Sequence, residues 1–366
     1  MNYPDISYFW PEWKITGYLG RSAYCFHYLA ESELDGEPVY SSIKVIKMPQ
    51  NEEYIPEIYK NGVSPEKLSA YFAQFKDKLN WELRLFRSVT SPHVMHIDDM
   101  HIVTNTEKPG WTAFIRGGLF TPLSEYVSQI DFDAGEVLRL GRELCKALMI
   151  CSRSGMLHGH VNPENIYVMD NGQFVLCDFG LRRCLGAAGN LLFTKPDDSF
   201  DAPEVKENKE FREESDLYSL AKIMQLLLRT AELRKLGGEE TDLSGLTETI
   251  EMALCEKPEE RFQNAATMLA NLNSLDIPAR AFARRTAAVA LAKEIAKRYE
   301  EQMTAEEETK EETREEYRSS SEILLEKIEQ AEQEKAEKAA LEAVPEEPQE
   351  EPKKGFFAKL RAKFKK

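Results

Sequence analysis

The spacing of apolar positions changes once in the first ninety residues, from strand-like to helical. Ile15 to Leu19, Tyr24 to Ala30 and Val39 to Ile46 are short runs rich in aromatic and β-branched residues. The ELDGEP segment at 33–38 carries an Asp-Gly turn signal, so strands joined by a tight hairpin are expected. Ser64, Pro65 and Glu66 then supply a capping residue, a proline at the first helical position and an acidic first turn. Leu68, Tyr71, Phe72, Phe75, Leu79 and Phe86 follow at helical spacing, which predicts a long helix ending near Arg87. Two further strands are expected at His101 to Thr104 and Thr112 to Ile115. From Ala134 onward the pattern is mostly helical, interrupted by a loop-rich span from His158 to Glu204.

A small β-rich part with one helix, followed by a larger helical part, defines an α+β, bilobal arrangement over 10–276. Beyond Pro278 the residues shift to Ala, Glu, Lys and Arg, and an acidic helical extension is expected over 279–344. Its first helix is expected at Ala281 to Met303 and a second from Ser319 or Ser320, where a capping box to Glu322 is available. Leu325 and Ile328 start a heptad seam that Glu332 breaks, so no coiled coil is expected. Pro345, Pro348 and Pro352 among glutamates make 345–354 an extended linker, and 355–366 reads as a short basic amphipathic helix.

Charge sharpens this division. The net charge is −16. Glu300 to Pro352 holds 20 acidic and 6 basic residues, whereas Lys353 to Lys366 holds 7 basic residues and no acidic one. An acidic body argues against nucleic acid as the partner, because a phosphate-binding surface needs the opposite sign. Apolar residues make up 42% of the chain, enough for a large core, which rules out a wholly disordered protein. The six cysteines form no CxxC pair and the histidines no HExxH spacing, so a metal site built from these side chains is not expected. The opening MNYPDISYFWPEW lacks a basic segment and an apolar run, and no stretch approaches a membrane span. A cytoplasmic body with reduced thiols is expected.

Chemistry-bearing residues occur in a fixed order between positions 44 and 261. Lys44 lies in a strand-like SSIKVI, and Glu82 sits on the long helix that follows. HGHVNPENIYV runs from His158 to Val168, CDFG from Cys177 to Gly180, and APE from Ala202 to Glu204. SDLYSL contains Asp216 and KPEERF contains Arg261. Each motif alone is weak; their order and spacing together are specific. Over roughly Trp10 to Leu275 the chain resembles the eukaryotic-type (Hanks-type) serine/threonine protein kinase family. GWTAFIRGGLFTPL at 110–123 and the RLGRELCKAL helix at 139–148 look most like kinases of anaerobic Firmicutes.

The resemblance implies roles. The lysine matching Lys44 binds nucleotide phosphates and is held by the glutamate matching Glu82, because a cation in a partly buried cleft needs a fixed counter-charge. The residues matching Asp178 and Asn165 give oxygen ligands to Mg²⁺, a hard cation. Glu204 and Arg261 match a structural ion pair, Asp216 matches the anchor of the catalytic loop, and Phe86, His158 and Phe179 match residues that stack the lobes.

The departures decide the expected function. Where the family has HRDxKPxN, this chain reads Gly159 for the arginine, His160 for the aspartate that takes the substrate proton, and Asn162 for the lysine. Losing base and lysine together removes positioning and electrostatic stabilisation, the two effects phosphoryl transfer relies on. The phosphate loop GxGxxGxV becomes Gly20, Ser22, Cys25 and His27, so only Gly20 survives of three glycines that let backbone N–H groups approach phosphates. Ser42 replaces the alanine before Ile43, and Gly117-Gly118 falls where the hinge begins. ATP and Mg²⁺ binding is therefore expected to be weakened. A pseudokinase that binds protein partners is the expected function, and an active Ser/Thr kinase using His160 as a non-standard base is the alternative.

In the terminal segment, Phe356, Phe357, Leu360 and Phe364 fall within one helical arc of roughly 100°, with lysines and Arg361 on the rest. Three aromatics and a leucine opposite cations suit an anionic membrane surface, which makes a cytoplasmic protein peripheral at the inner face of the membrane. Docking on the chain's own acidic helices, or a loose tail, are the other readings.

Overall fold

Asp35 and Gly36 both take positive φ, 53° and 83°, the twist of a two-residue hairpin turn joining β2 (Phe26–Leu34) to β3 (Glu37–Met48). The computed structural model describes residues 3–129, 132–178, 180–185, 197–208, 210–233, 242–278 and 287–304. With β1 (Lys14–Arg21), β4 (Ile97–Thr104) and β5 (Trp111–Gly117), the hairpin forms an antiparallel sheet in the order β1-β2-β3-β5-β4. These strands overlap the sequence expectations and run a few residues longer.

Alternation along β3 sends Ile43 and Val45 to one face of the sheet and Lys44 and Ile46 to the other. The first face is covered by the N-terminal segment, whose Ile6 and Trp10 are buried against Ile15, Tyr28 and Phe114. Packing thus begins before Trp10, where sequence patterning placed the start of the body. The second face receives α2 (Leu68–Arg87), which buries Leu68, Phe72, Phe75, Leu79, Leu83 and Phe86 at helical spacing. Trp111 Nε1 donates to the Phe72 carbonyl at 2.9 Å, fixing this helix against β5. A short helix, α1 (Ile55–Lys60), precedes it and was not expected; it buries only Ile58, too little to leave a periodic signal.

The larger lobe starts with β6 (Thr121–Pro122), α3 (Leu123–Gln129) and α4 (Ala134–Arg153). Asp133 caps α4 by accepting from Glu136 N at 2.9 Å. β7 (Ile166–Val168) and β8 (Phe174–Leu176) pair beside β6 in a small sheet. The rest is helical: α5 (Pro203–Asn208), α6 (Glu213–Leu233), α7 (Ser244–Ala253) and α8 (Ala265–Asn273). One apolar core continues from Leu83 and Phe86 through Val94 and Leu176 into α4 and α6.

A last described helix, α9, covers 288–304. It overlaps the helix expected at Ala281 to Met303, but it is not separate from the body: Ala288, Leu291, Ala292, Ile295 and Ala296 are all buried. The chain divides into compact units at Met1–Gln302 and Met303–Lys366, not near residue 276 as composition alone indicated. The helix expected from Ser319, the 345–354 linker, and Phe356, Phe357, Leu360 and Phe364 of the terminal helix lie outside the described residues. Among the described residues no helix is long and apolar enough to cross a membrane.

Candidate functional site

The cleft between the lobes is floored by β3 and by the turn after β8. Lys44, projecting from β3, places Nζ 2.7 Å from Asp178 Oδ1 and 3.2 Å from Cys177 Sγ, with the Tyr167 ring 5.6 Å away. Lys44 is buried and the Asp178 side chain is 12% exposed. Burial alone works against the Lys44 ammonium, but the Asp178 carboxylate, together with Cys177, Tyr167 and Cys25, holds the lysine charged well above its usual range. Burial likewise opposes the Asp178 charge, and Lys44 nonetheless keeps that carboxyl below its ordinary value.

Glu82 does not hold Lys44. Its Oε1 receives Arg183 Nη2 at 2.6 Å instead, an ion pair between α2 and the segment after CDFG. Gly180, at φ 71°, permits this approach: a Cβ there would stand 2.9 Å from Glu82 Oε2. The Lys44–Glu82 pair that the resemblance implied is not formed. Two consecutive arginines follow CDFG-Leu, and the second reaches Glu82 while Lys44 is satisfied by Asp178.

The catalytic-loop positions form a closed network. Asp216 on α6 accepts the backbone N–H groups of His158 and Gly159, both at 2.8 Å, and so anchors the loop. Burial pushes Asp216 up to about 7, against the pull of those two donors. His158 donates through Nε2 to the Cys177 carbonyl at 2.8 Å and accepts the His160 N–H through Nδ1. Burial, helped by neighbouring His160, lowers His158 to about 3, so it is neutral.

His160 is buried. Its Nδ1 lies 3.0 Å from Arg182 Nη1 and its Nε2 lies 2.7 Å from Asn162 Nδ2. Arg182 is itself held by Asp201 at 2.6 Å, and Asn162 Oδ1 accepts Asn165 N to cap a short 3₁₀ turn. Arg182 can only donate, so the single lone pair of the neutral imidazole, on Nδ1, accepts from it, while Nε2 lies against Asn162. Asn165 Nδ2 donates to the His160 carbonyl at 2.9 Å.

The oxygen donors of Asn165 and Asp178 are chemically suited to Mg²⁺. The space beside them is not: the cavity shared by Asn165, Asp178, His160 and the Ser22–Tyr24 tip measures about 10 Å³. That is at the lower limit for one water molecule, so a divalent cation between Asn165 and Asp178 requires the Ser22–Tyr24 tip to move. The tip is held down by its own turn, Ser22 N to Cys25 O at 2.8 Å, with Tyr24 and Cys25 buried. Among the described residues no group of three His, Cys, Asp or Glu side chains could hold a metal ion.

A larger cavity of about 350 Å³ remains above Lys44, lined by Gly20, Lys44, Gly118, Tyr167, Leu291 and Tyr299. Ser42, in place of alanine, donates to the Gly118 carbonyl at 2.9 Å, and Ser41 donates to Gly117 O at 2.7 Å, so hinge carbonyls are already engaged. Gly20 faces the Tyr299 hydroxyl of α9.

Away from the cleft, Arg261 grips Glu204 with two bonds, 2.8 and 3.0 Å, and its other donors reach the carbonyls of Cys255 and Glu256. Phe179 lies outside the described residues. Sequence reasoning missed Arg182, Arg183 and Asp201. The Arg182-Arg183 pair directly after CDFG-Leu was the available signal, since two arginines beside a buried carboxylate cluster need partners.

Residues 66–312 match the protein kinase domain family, two thirds of the chain, and the chain belongs to that family. It is 28% identical over 162 residues to a probable serine/threonine-protein kinase, pknA2, of Bifidobacterium longum, covering 40% of this chain and 19% of that protein. Over 91 residues it is 40% identical to the serine/threonine-protein kinase PknK of Mycobacterium tuberculosis, covering 24% of this chain and 8% of that protein. CBL-interacting protein kinase 17 of Oryza sativa is 26% identical over 156 residues, 42% of this chain and 34% of the rice protein. The chain therefore aligns to a minor part of each relative's length.

Proposed function

We propose that this protein is a pseudokinase, a kinase-fold chain that works by binding a protein partner and does not transfer phosphate. The observation that carries this reading is the state of residue 160. A general base needs a free lone pair within hydrogen-bond reach of the acceptor hydroxyl. Both nitrogens of His160 instead meet Arg182 and Asn162. The Lys44–Asp178 contact and the filled space near Asn165 point the same way, because residual ATP and Mg²⁺ binding would require both to open.

The test is transfer of labelled phosphate from Mg²⁺–ATP to the protein itself or to generic serine/threonine substrates. No transfer is expected from wild type or from His160→Ala. Transfer by wild type that His160→Ala abolishes and His160→Asp restores would establish the rival reading, an active Ser/Thr kinase with an imidazole base.

The terminal segment extends the proposal. Phe356, Phe357, Leu360 and Phe364 opposed by lysines favour weak, reversible seating at an anionic membrane surface. Co-sedimentation with phosphatidylserine-containing vesicles should fall when the three phenylalanines become alanine; unchanged sedimentation would remove this part of the proposal.

A further inference from the structure

The buried face of α9 is narrow and regular. Ala288, Ala292 and Ala296 form one row, with Leu291, Ile295 and Tyr299 beside it, while Lys293, Glu294, Lys297 and Arg298 face solvent. The surface beneath is shaped to receive it. At Gly17 in β1 a Cβ would stand 2.6 Å from Ala296 Cβ, and at Gly20 it would stand 2.8 Å from the Tyr299 hydroxyl. No side chain fits at Gly17 while the helix is seated, and one at Gly20 would push the Tyr299 hydroxyl aside.

Contacts pin the helix to both lobes. On the small lobe, Lys293 Nζ lies 2.6 Å from the Tyr40 hydroxyl and 4.3 Å from that ring's centroid, and Tyr3 donates to Glu300 at 2.8 Å. On the large lobe, Asp170 accepts the Ala288 N–H at 3.1 Å, and Arg298 pairs with Glu125 at 2.9 Å. Leu291, Ala292, Ile295, Arg298 and Tyr299 then line the cavity whose other walls carry Lys44 and Tyr167. The glycine of the phosphate loop meets a tyrosine of the same chain.

We propose that α9 is an intramolecular competitor of nucleotide: the seated helix and bound nucleotide are mutually exclusive states of one cleft. With the helix seated, about 350 Å³ is left above Lys44, and on this proposal a complete nucleotide needs the further volume that Tyr299 and Arg298 occupy beside Gly20 and Glu125. If the cleft is open in about 1% of molecules, apparent nucleotide affinity falls about 100-fold by population alone. The competition does not depend on whether phosphate is transferred, so it goes beyond the pseudokinase reading.

The experiment is calorimetric titration of the full-length protein with Mg²⁺–ATP, alongside amide hydrogen exchange. Leu291→Glu/Ile295→Glu places two charges on the buried face. This variant is expected to bind at least about tenfold more tightly than wild type, with faster exchange across 288–304. Equal affinity in the two proteins, including no binding in either, overturns the proposal. If the double variant does not fold, Lys293→Glu/Glu300→Lys alters two exposed latches outside the cavity lining and is expected to tighten binding severalfold. Faster exchange of 288–304 without a gain in affinity overturns the proposal there as well. Phosphate transfer by an opened variant would contradict the pseudokinase reading while supporting competition; tighter binding without transfer supports both.

Discussion

His160 occupies its position because Arg182 and Asn162 hold it from two sides, and Arg182 in turn depends on Asp201. Arg182 and Asp201 are both almost fully buried, so removing one leaves the other charge without its partner. Arg182→Ala is expected to lower unfolding free energy by about 3–5 kcal/mol in denaturant titrations. A loss below about 1 kcal/mol, the range of an exposed pair, would mean that Asp201 is satisfied elsewhere. His27 offers a pH test. Burial, with Lys44 nearby, lowers it to about 4, so the folded state keeps it neutral. Between that value and 6.5 the unfolded chain binds the extra proton, and this residue's contribution to stability is lost as pH falls. His27→Leu should flatten the stability profile in that window by about 1.4 kcal/mol per pH unit relative to wild type. Parallel profiles would mean that His27 titrates alike in both states.

At the scale of elements, α9 is the feature that changes the cleft. Gly17→Val suits a strand but places side-chain atoms where Ala296 sits, so α9 should lift from β1. Hydrogen exchange across 288–304 should accelerate at least about tenfold while exchange in α4 stays slow; unchanged protection of 288–304 would show that α9 does not need the glycine. The elements legible in the sequence were those with local signals. The Asp35-Gly36 hairpin needs two positive φ angles that few residues adopt, and α2 carries a buried face over five turns. The sequence also announced a helix near α9, through the shift to Ala, Glu, Lys and Arg beyond Pro278. Its destination was not legible, because an apolar stripe states that a face is covered without stating by what. The exchange of partners among Lys44, Glu82 and Arg183 was hidden for a related reason. Motifs record which residues are kept, whereas ion pairing depends on which charges tertiary structure brings within reach.

For the whole molecule, the proposed function amounts to a separation of fold maintenance from chemistry. The Arg261–Glu204 pair and the Asp216 anchor hold the large lobe and its loop as the family requires. Arg261→Ala leaves Glu204 without its buried partner and is expected to cost about 3–5 kcal/mol, read as a lower denaturant midpoint with an unchanged slope. A midpoint equal to wild type would remove this pair from the supports of the fold. The central claim, that a kept kinase fold carries no phosphotransfer, is tested most directly by following conversion of ATP to ADP by the unmodified full-length chain. With saturating Mg²⁺–ATP and a serine/threonine peptide pool, no ADP or phosphopeptide above the protein-free control is expected. Sustained formation of both, many turnovers per molecule, would contradict it.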